Sequence, residues 1–596
     1  MAFQNCSNLA AMFFEQVANF GDKPFLWAKR DGKYTPLSWG DVAARVTPLA
    51  RGLLQTGIEP GDRVVLVSEN RPAWLIADMA IMSIGAITVP AYTTNTIEDH
   101  RHILMDSGAK GVVISNRKLA QNLIPAAEAC ESTKFVVALY PPEDQTARGI
   151  DVYPLQKLID MGSAGHINIV ELARTWSKDQ TACIIYTSGT GGVPKGVMLS
   201  HRALFHNITG AIDVLVELGL GDEVFLSFLP LSHSYEHMAG QFVPMAIGAE
   251  IYYAEGIESL AKNMLETKPT IMTAVPRLYE TLHQRITTGV RKGGGTKEKI
   301  FNKARELGAR KFEEPDSLGV LDKLQDRILD LLVRDKVRAR FGGRLKALVS
   351  GGAPLNSEIA MFFTSLGLTV LQGYGQTETA PLISVNRKSN IKLHTVGPPV
   401  INTEVKIADD GEILVSGDLT MQGYWNNPDA TAEVLKNGWI HTGDIGHFDE
   451  DGHLIITDRK KDIIVNSGGD NISPQRIEGV ICMEPEIAQA MVYGDKRPHL
   501  VALLVPDESW LKEWTNSQNK PLSLQNLTND AELQKVFSTV MARINTKLSS
   551  IEKVRNYTFA TSPFSIDNEQ LTPTMKVRRH KILEIYKFNL ESLYRQ

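Results

Sequence analysis

The sequence predicts an α/β protein: a large N-terminal domain of parallel α/β sheets, a small β subdomain, and a separate α+β domain at the C-terminus. Three observations predict it. Over residues 1–180, aliphatic runs of strand length alternate with helical patterns, a rhythm that implies βαβ units and a parallel sheet covered on both faces. After about residue 390 the strands shorten and turns separate them. A charged patch, Asp458-Arg459-Lys460-Lys461-Asp462, then interrupts the apolar pattern and leaves about 130 residues beyond it, enough for another compact unit.

A chain of 596 residues implies several domains and a large core. Hydrophobic residues at 43% and charged residues at 22% are ordinary for a globular protein. A net charge of −5 gives no reason to expect nucleic acid as a partner. Cys6, Cys130, Cys183 and Cys482 are scattered without a CxxC pair, so a reduced, cytoplasmic protein is expected. No apolar run is long enough to span a bilayer, and the N-terminal stretch lacks the basic and apolar regions of a secretory signal. Peripheral contact with the inner face of a membrane and assembly as a homodimer are left undecided.

The elements follow in order. A helical pattern over 49–56 ends at Gly57, and Pro60-Gly61-Asp62 turns the chain into a strand at 63–67. An apolar helix over 73–84 is closed by Gly85 and followed by a strand at 86–90; strands at 110–115 and 135–139 continue the alternation. A strand at 181–186 enters a loop of glycines and hydroxyls, and Ser200 is placed to cap a helix beginning near Ala203. A strand over 223–230 delivers Leu231-Ser232-His233-Ser234-Tyr235-Glu236-His237, and one over 270–275 leads into Pro276-Arg277.

Residues 280–341 differ, reading as charged amphipathic helices at 300–311 and 320–341, with Gly293-Gly294-Gly295 as a flexible turn. Leu321, Leu324, Ile328, Leu331 and Leu332 share one face of the second helix. A membrane-surface helix and a helical insertion packed on the core both fit; the interleaved acids favour the packed insertion. Strands at 346–350 and 368–372 then feed Gly351-Gly352-Ala353-Pro354 and Gly373-Tyr374-Gly375-Gln376-Thr377-Glu378. Ligands of parallel sheets gather at such carboxyl ends, so a nucleotide site is expected there. Short strands at 405–407, 412–416 and 454–457 make the β subdomain, and the charged patch divides the chain into domains 1–457 and 458–596.

The most informative stretch is Thr187-Ser188-Gly189-Thr190-Gly191-Gly192-Val193-Pro194-Lys195-Gly196. Glycines let backbone N–H groups approach an anion, hydroxyls add donors and Lys195 adds charge, a composition suited to polyphosphate. The spacing is not that of a Walker A loop. The string resembles the signature of the adenylate-forming enzymes, which include acyl-CoA synthetases, luciferases and peptide-synthetase adenylation domains. It departs where Gly191 replaces a second threonine, losing one hydroxyl donor. The resemblance covers nearly the whole chain, with at least six motifs in family order.

That resemblance implies a site. Thr187, Ser188, Gly189, Thr190, Gly191, Gly192 and Lys195 would hold the β- and γ-phosphates of ATP. Gly351, Gly352 and Ala353 would wall the adenine, with Gln372, Gly373 and Gly375 beside it and Tyr374 offering an aromatic face. Thr377 would donate to the α-phosphate, and Glu378, with Thr187, would ligate Mg²⁺ through hard oxygen donors. Asp444 of His441-Thr442-Gly443-Asp444 would accept from the ribose hydroxyls, and Arg459 would contact ribose or phosphate; a turn aspartate and a surface arginine are the alternatives. His233 would lie beside the acyl carboxylate or be a structural histidine. His233 and His237 have helical spacing, but no HExxH or further ligand cluster accompanies them, so zinc is not expected. In Leu571-Thr572-Pro573-Thr574-Met575-Lys576-Val577-Arg578-Arg579, resembling the ending of long-chain synthetases, Met575 replaces the usual glycine and Lys576 would bridge the α-phosphate and the acyl carboxylate. Asp458 matches the hinge about which the family's C-terminal domain rotates. Ser467, Gly468 and Gly469 match the segment that then lines the CoA tunnel, or form a simple hairpin turn.

The activity implied is an ATP-dependent long-chain fatty acid–CoA ligase working through an acyl-adenylate, with fatty acid, ATP and CoA as partners and Mg²⁺ as cofactor. The long-chain assignment rests on the 280–341 segment and on the L-T-P-T-M-K-V-R-R ending. A ligase that loads a carrier protein, a ligase for another acid, and a catalytically silent nucleotide-binding relative are the alternatives. No acyl pocket is traceable in the sequence.

Overall fold

Strands whose two faces are both buried read as unbroken aliphatic runs, and the strand Arg63–Val67 shows why. Val64 and Leu66 enter one apolar cluster while Val65 and Val67 enter another on the opposite face. In the computed structural model, which describes residues 6–140, 147–187, 193–468, 470–520, 530–572 and 577–595, this strand lies inside an eight-stranded sheet. Asp151–Pro154, Phe135–Ala138, Gly111–Ile114, Arg63–Val67, Ile87–Pro90 and Thr181–Thr187 run parallel in that spatial order. Lys195–Ser200 and Gly423–Tyr424 then complete the edge antiparallel.

A second eight-stranded sheet has the same plan. Its parallel centre runs Val370–Tyr374, Ala347–Ser350, Ile271–Ala274, Val224–Ser227, Glu250–Tyr253 and Pro24–Arg30. Antiparallel strands Ser384–Val385 and Lys33–Ser38 close its two edges. The parallel rhythm of the sequence is thus present in both sheets, and hairpins finish their edges. Helices such as Trp39–Gln55, Pro72–Ser83 and His201–Val216 fill the space around them, contributing Val42, Trp74 and Ile208 to one continuous core. Ser200 caps the last of these helices, its hydroxyl accepting from the Ala203 amide.

The segment 276–341 forms helices Pro276–Gly293, Gly295–Glu313 and Val320–Leu329, a π-turn Asp330–Arg334 and a short helix Asp335–Arg340. The expectation that the apolar face of 320–341 packs on the core is corrected here. Leu329, Val337 and Phe341 do pack inward, but Leu321, Leu324, Ile328, Leu331 and Leu332 all face outward and are exposed. Helical periodicity tells which residues share a face, not what covers it.

The β subdomain is a five-stranded antiparallel sheet containing Glu404–Ile407, Glu412–Ser416, Trp439–Phe448 and Leu454–Arg459. The C-terminal lobe centres on Leu500–Pro506, flanked by antiparallel Ile487–Tyr493 and parallel Val554–Phe559. Leu500, Ala502 and Leu504 pack towards the helices Pro474–Ile481 and Ala531–Asn545, while Val501, Leu503 and Val505 pack towards Arg579–Ser592. Among the described residues, no helix is long and apolar enough to cross a membrane.

Candidate active site

The carboxyl ends of the two parallel sheets face a common cavity of about 920 Å³. Thr187 and Lys195 enter it as the closing pair of the hairpin between Thr181–Thr187 and Lys195–Ser200; Ser188, Gly189, Thr190, Gly191 and Gly192 lie outside the described residues. Both flanks of Lys195 are anchored. His102 Nε2 meets the Pro194 carbonyl at 2.8 Å, and the Trp425 amide donates to Gly196 O at 2.7 Å. The Lys195 ammonium lies 5.1 Å from the centre of the Tyr424 ring. The Tyr424 hydroxyl in turn donates to Glu378 Oε1 at 2.8 Å. Burial, then the Glu378 carboxylate, push the Tyr424 hydroxyl above its ordinary range, so it remains a donor.

The second sheet supplies the opposite wall. Gly351 and Gly352 follow Ala347–Ser350; Gly373 and Tyr374 end the strand Val370–Tyr374, and Gly375 to Glu378 follow it. Close packing demands glycine at two of these positions. A Cβ on Gly375 would fall 1.6 Å from the Pro381 carbonyl oxygen, and one on Gly351 would meet the Tyr235 ring at 3.0 Å. Tyr235 is held there by donating to Val349 O at 2.9 Å. Thr377 Oγ1 sits 3.0 Å from Ser234 Oγ, tying the end of one strand to the start of the helix Ser234–His237. His233 caps that helix: its Nδ1 accepts from the Tyr235 amide at 3.1 Å, which leaves the proton of a neutral ring on Nε2.

The β subdomain closes a third side. Tyr374 donates to Asp444 Oδ2 at 2.7 Å, and Arg459 Nε donates to Asp444 Oδ1 at 3.0 Å. Burial and then Asp444 push the Tyr374 hydroxyl well above its ordinary range. The turn before Asp444 is fixed by the Gly443 amide donating to Glu412 Oε1 and by Thr442 Oγ1 donating to Ile413 O. The strand Leu454–Arg459 carries Asp458 as its penultimate residue, opposite Ile445, and burial raises the Asp458 carboxyl pKa above its ordinary value.

The C-terminal lobe covers the remaining side with Thr572 and with Val577, Arg578, Arg579 and His580. Lys576 lies outside the described residues, but the residues that bracket Pro573–Lys576 line the cavity. Arg579 is bound by both oxygens of Glu478 at 2.6 and 2.7 Å. Lys461 and Arg578 also line the cavity and form no ion pair among the described residues.

Thr187, Lys195, His233, Gly351, Gly352, Gly373, Tyr374, Gly375, Thr377, Glu378 and Arg459 therefore share one cavity. Ala353, Gln372 and Asp444 are not among its lining residues, although Asp444 is bonded to two that are. Ser467 and Gly468 occupy an exposed turn of the C-terminal lobe away from this lining, and Gly469 lies outside the described residues. His237 turns away from the cavity and pairs with buried Asp78 at 2.9 Å.

Sequence reasoning missed Ser234, Tyr424 and the whole apolar end of the cavity. That end is walled by Ala211, Val214 and Leu215 of the helix His201–Val216, by Phe225, Ile271 and Leu371 of the second sheet, and by Met238 and Ala239 of a π-turn, Met238–Phe242. Proximity to His233 could have flagged Ser234. The apolar wall left no signal, because each element supplies only one to three ordinary apolar side chains.

Comparison with known proteins agrees with this geometry. The chain matches the family model of the AMP-binding enzymes over residues 13–425 and that of the AMP-binding enzyme C-terminal domain over residues 461–596. It is 35% identical to the long-chain-fatty-acid–CoA ligase FadD15 of Mycobacterium bovis, over 98% of this chain and 97% of that one. It is 31% identical to the peroxisomal long chain acyl-CoA synthetase 6 of Arabidopsis thaliana, over 95% of this chain and 82% of that one. In fold it is similar to the A domain of a carboxylic acid reductase from Segniliparus rugosus, solved with AMP and a co-purified carboxylic acid, at a TM-score of 0.80 and 21% identity, covering 99% of this chain and 94% of that one. With the family models spanning both lobes and the motif residues gathered on one cavity, the chain belongs to the AMP-binding, adenylate-forming enzymes.

Proposed function

We propose that the protein is an ATP-dependent long-chain fatty acid–CoA ligase. The observation that carries this reading is one continuous cavity with two chemistries: a glycine-, hydroxyl- and cation-lined end and an apolar end walled by aliphatic side chains. An acid whose head must meet ATP and whose tail must leave water requires both.

In the first step a carboxylate oxygen attacks the α-phosphorus of ATP, the bond to the β-phosphate oxygen breaks, and diphosphate leaves. Two anions must approach, so fixed donors and cations have to offset their repulsion. Lys195 and the loop from Thr187 hold the β- and γ-phosphates. Thr377, positioned by Ser234, donates to the α-phosphate. Gly351, Gly352 and Ala353, with Gln372, Gly373 and Gly375, leave room for the adenine beside Tyr374. Asp444, oriented by Tyr374 and Arg459, accepts from the ribose. The His233 Nε2–H steadies the acyl carboxylate, and Lys576 bridges that carboxylate and the α-phosphate. Glu378 and Thr187 bring oxygen donors from opposite walls of the cavity and fit Mg²⁺, and no hydrogen bond among the described residues takes Glu378 Oε2. When bound, that ion would offset phosphate charge. In the second step the CoA sulfur attacks the acyl carbonyl, the carbonyl–oxygen bond to AMP breaks, and AMP leaves; rotation about Asp458 would bring Ser467, Gly468 and Gly469 to the thiol.

A chain-length series of fatty acids, assayed with ATP, Mg²⁺ and CoA for acyl-CoA and AMP, tests this. Each methylene buried at the apolar end contributes about 0.8 kcal/mol, so kcat/KM should climb by up to about fourfold per carbon until the end is full. Absence of acid-dependent AMP formation across the series would refute the reading. Product with a holo-carrier protein and none with CoA would assign carrier loading instead.

A further inference from the structure

The helical segment 320–340 wears its apolar side chains on the outside. Val320, Leu321, Leu324, Ile328, Leu331 and Leu332 are between 48 and 86% exposed, on successive turns of one face. The segment is nevertheless firmly held by its other face. Arg334, only 3% exposed, donates to Ser365 O at 2.9 Å and Ala304 O at 2.7 Å, and pairs with Asp326 at 2.7 Å. A contiguous apolar patch on a rigid, well-anchored element calls for a partner.

The charges indicate which partner. All four acids of the segment are engaged by cations of the protein itself: Asp322 by Arg310, Asp326 by Arg334 and Lys311, and Asp330 and Asp335 by Arg338. Lys323, Arg327, Lys336 and Arg340 are exposed and form no ion pair among the described residues. The stripe thus has a fringe of unneutralised positive charge. A second copy of the same face would bring two such fringes together, whereas an anionic surface is complementary to it.

We propose that this face docks on an anionic lipid bilayer, with the leucine–isoleucine stripe at the acyl boundary and the four cations on headgroup phosphates. The docked face is separate from the cavity, so the proposal does not depend on the identity of the acid.

Flotation with substrate-free vesicles tests it. Phosphatidylcholine vesicles with about 30% phosphatidylglycerol should bind the protein at least tenfold more strongly than pure phosphatidylcholine, with the advantage shrinking as salt rises. The triple variant Leu324→Glu/Ile328→Glu/Leu331→Glu should lose tenfold or more of this binding. Lys323→Glu/Arg327→Glu should abolish the preference for anionic lipid. All five positions are exposed, so melting temperatures should stay near wild type. Equal vesicle binding by the wild type and the triple variant would overturn the proposal. So would failure of the wild type to bind, whether it sediments as a monomer or as a dimer that the triple variant dissolves.

Discussion

Glu236 is a carboxyl group with no exposed surface, wedged behind the cavity wall. Ser227 and Thr273, from two neighbouring strands, donate to its two oxygens at 2.6 Å each. Gly240 leaves it room, since a Cβ there would approach Glu236 Oε1 to 2.4 Å. Burial pushes its pKa to about 7, against the opposing pull of those hydrogen bonds. Between pH 4.5 and about 7 the folded chain keeps a proton that the unfolded chain releases, so this group makes stability fall as pH rises through that window. The loss amounts to about 3 kcal/mol at most. Buried His100, lowered to about 4, slopes the other way: its contribution is lost as pH falls from 6.5 towards 4. Comparison with Glu236→Gln isolates the first effect. The variant should gain melting temperature relative to wild type between pH 5 and pH 8; a difference independent of pH would refute the assignment. None of this was legible in the sequence, because the partners of Glu236 come from separate strands and a turn. That Lys195, Thr377 and Glu378 would come together on one cavity was legible, because contiguous strings of glycine, hydroxyl and charge marked them.

At the scale of elements, the insertion over 276–341 shows where pattern reading succeeds and where it stops. The periodicity located its helices and the shared apolar face. It could not show that the inward side would be held by an ion pair, since Asp326 and Arg334 look like any solvated charges in the sequence. In the folded chain Arg334 joins three segments: its own, the helix Gly295–Glu313 through Ala304, and the helix Ser357–Ser365 through the Ser365 carbonyl. Gly308 lets the last two meet closely, as a Cβ there would fall 2.1 Å from Ser365 O. Removing one partner of a buried pair leaves the other uncompensated, so Arg334→Ala should lower stability by about 3–5 kcal/mol in chemical denaturation. Arg334→Met/Asp326→Leu, which removes both charges, should recover much of that loss. If the double variant were as unstable as the single one, the charge argument would fail and packing volume would be the cause.

At the scale of the molecule, one cavity is shared by two lobes that touch through exposed hydrogen bonds and through Met483, which packs against an apolar cluster of the N-terminal part. Arg277 reaches Ala488 O at 3.3 Å, Gln284 reaches Asp507 at 3.0 Å and Lys292 reaches Glu513 at 3.3 Å, all at exposed positions. These exposed polar contacts contribute little to stability, and the Met483 contact is the apolar part of what a separation of the lobes would give up. The sequence reading divides the chain at its charged patch, whereas the strand Leu454–Arg459 carries the pairing past Asp458 to Arg459, which is bonded to Asp444. Arg459 follows Asp458 in the chain, so under the proposed pivot at Asp458 the lobe would carry Arg459 with it, and its bond to Asp444 would have to open unless the turn is taken up beyond Arg459. Under the proposed mechanism the two half-reactions need different faces of that lobe. Thr572 and Val577 present the face that brackets Lys576 to the cavity, the arrangement suited to adenylation. Lys576→Ala should cut acid-dependent ATP–diphosphate exchange by at least about a hundredfold, the scale of losing one pre-positioned charge at a developing anion. Preformed acyl-adenylate should still be converted to acyl-CoA at a rate within about threefold of wild type, since a lysine swung away from the cavity stabilises nothing in that step. Equal losses in the two half-reactions would mean that one lobe arrangement serves both, and the rotation would have to be abandoned.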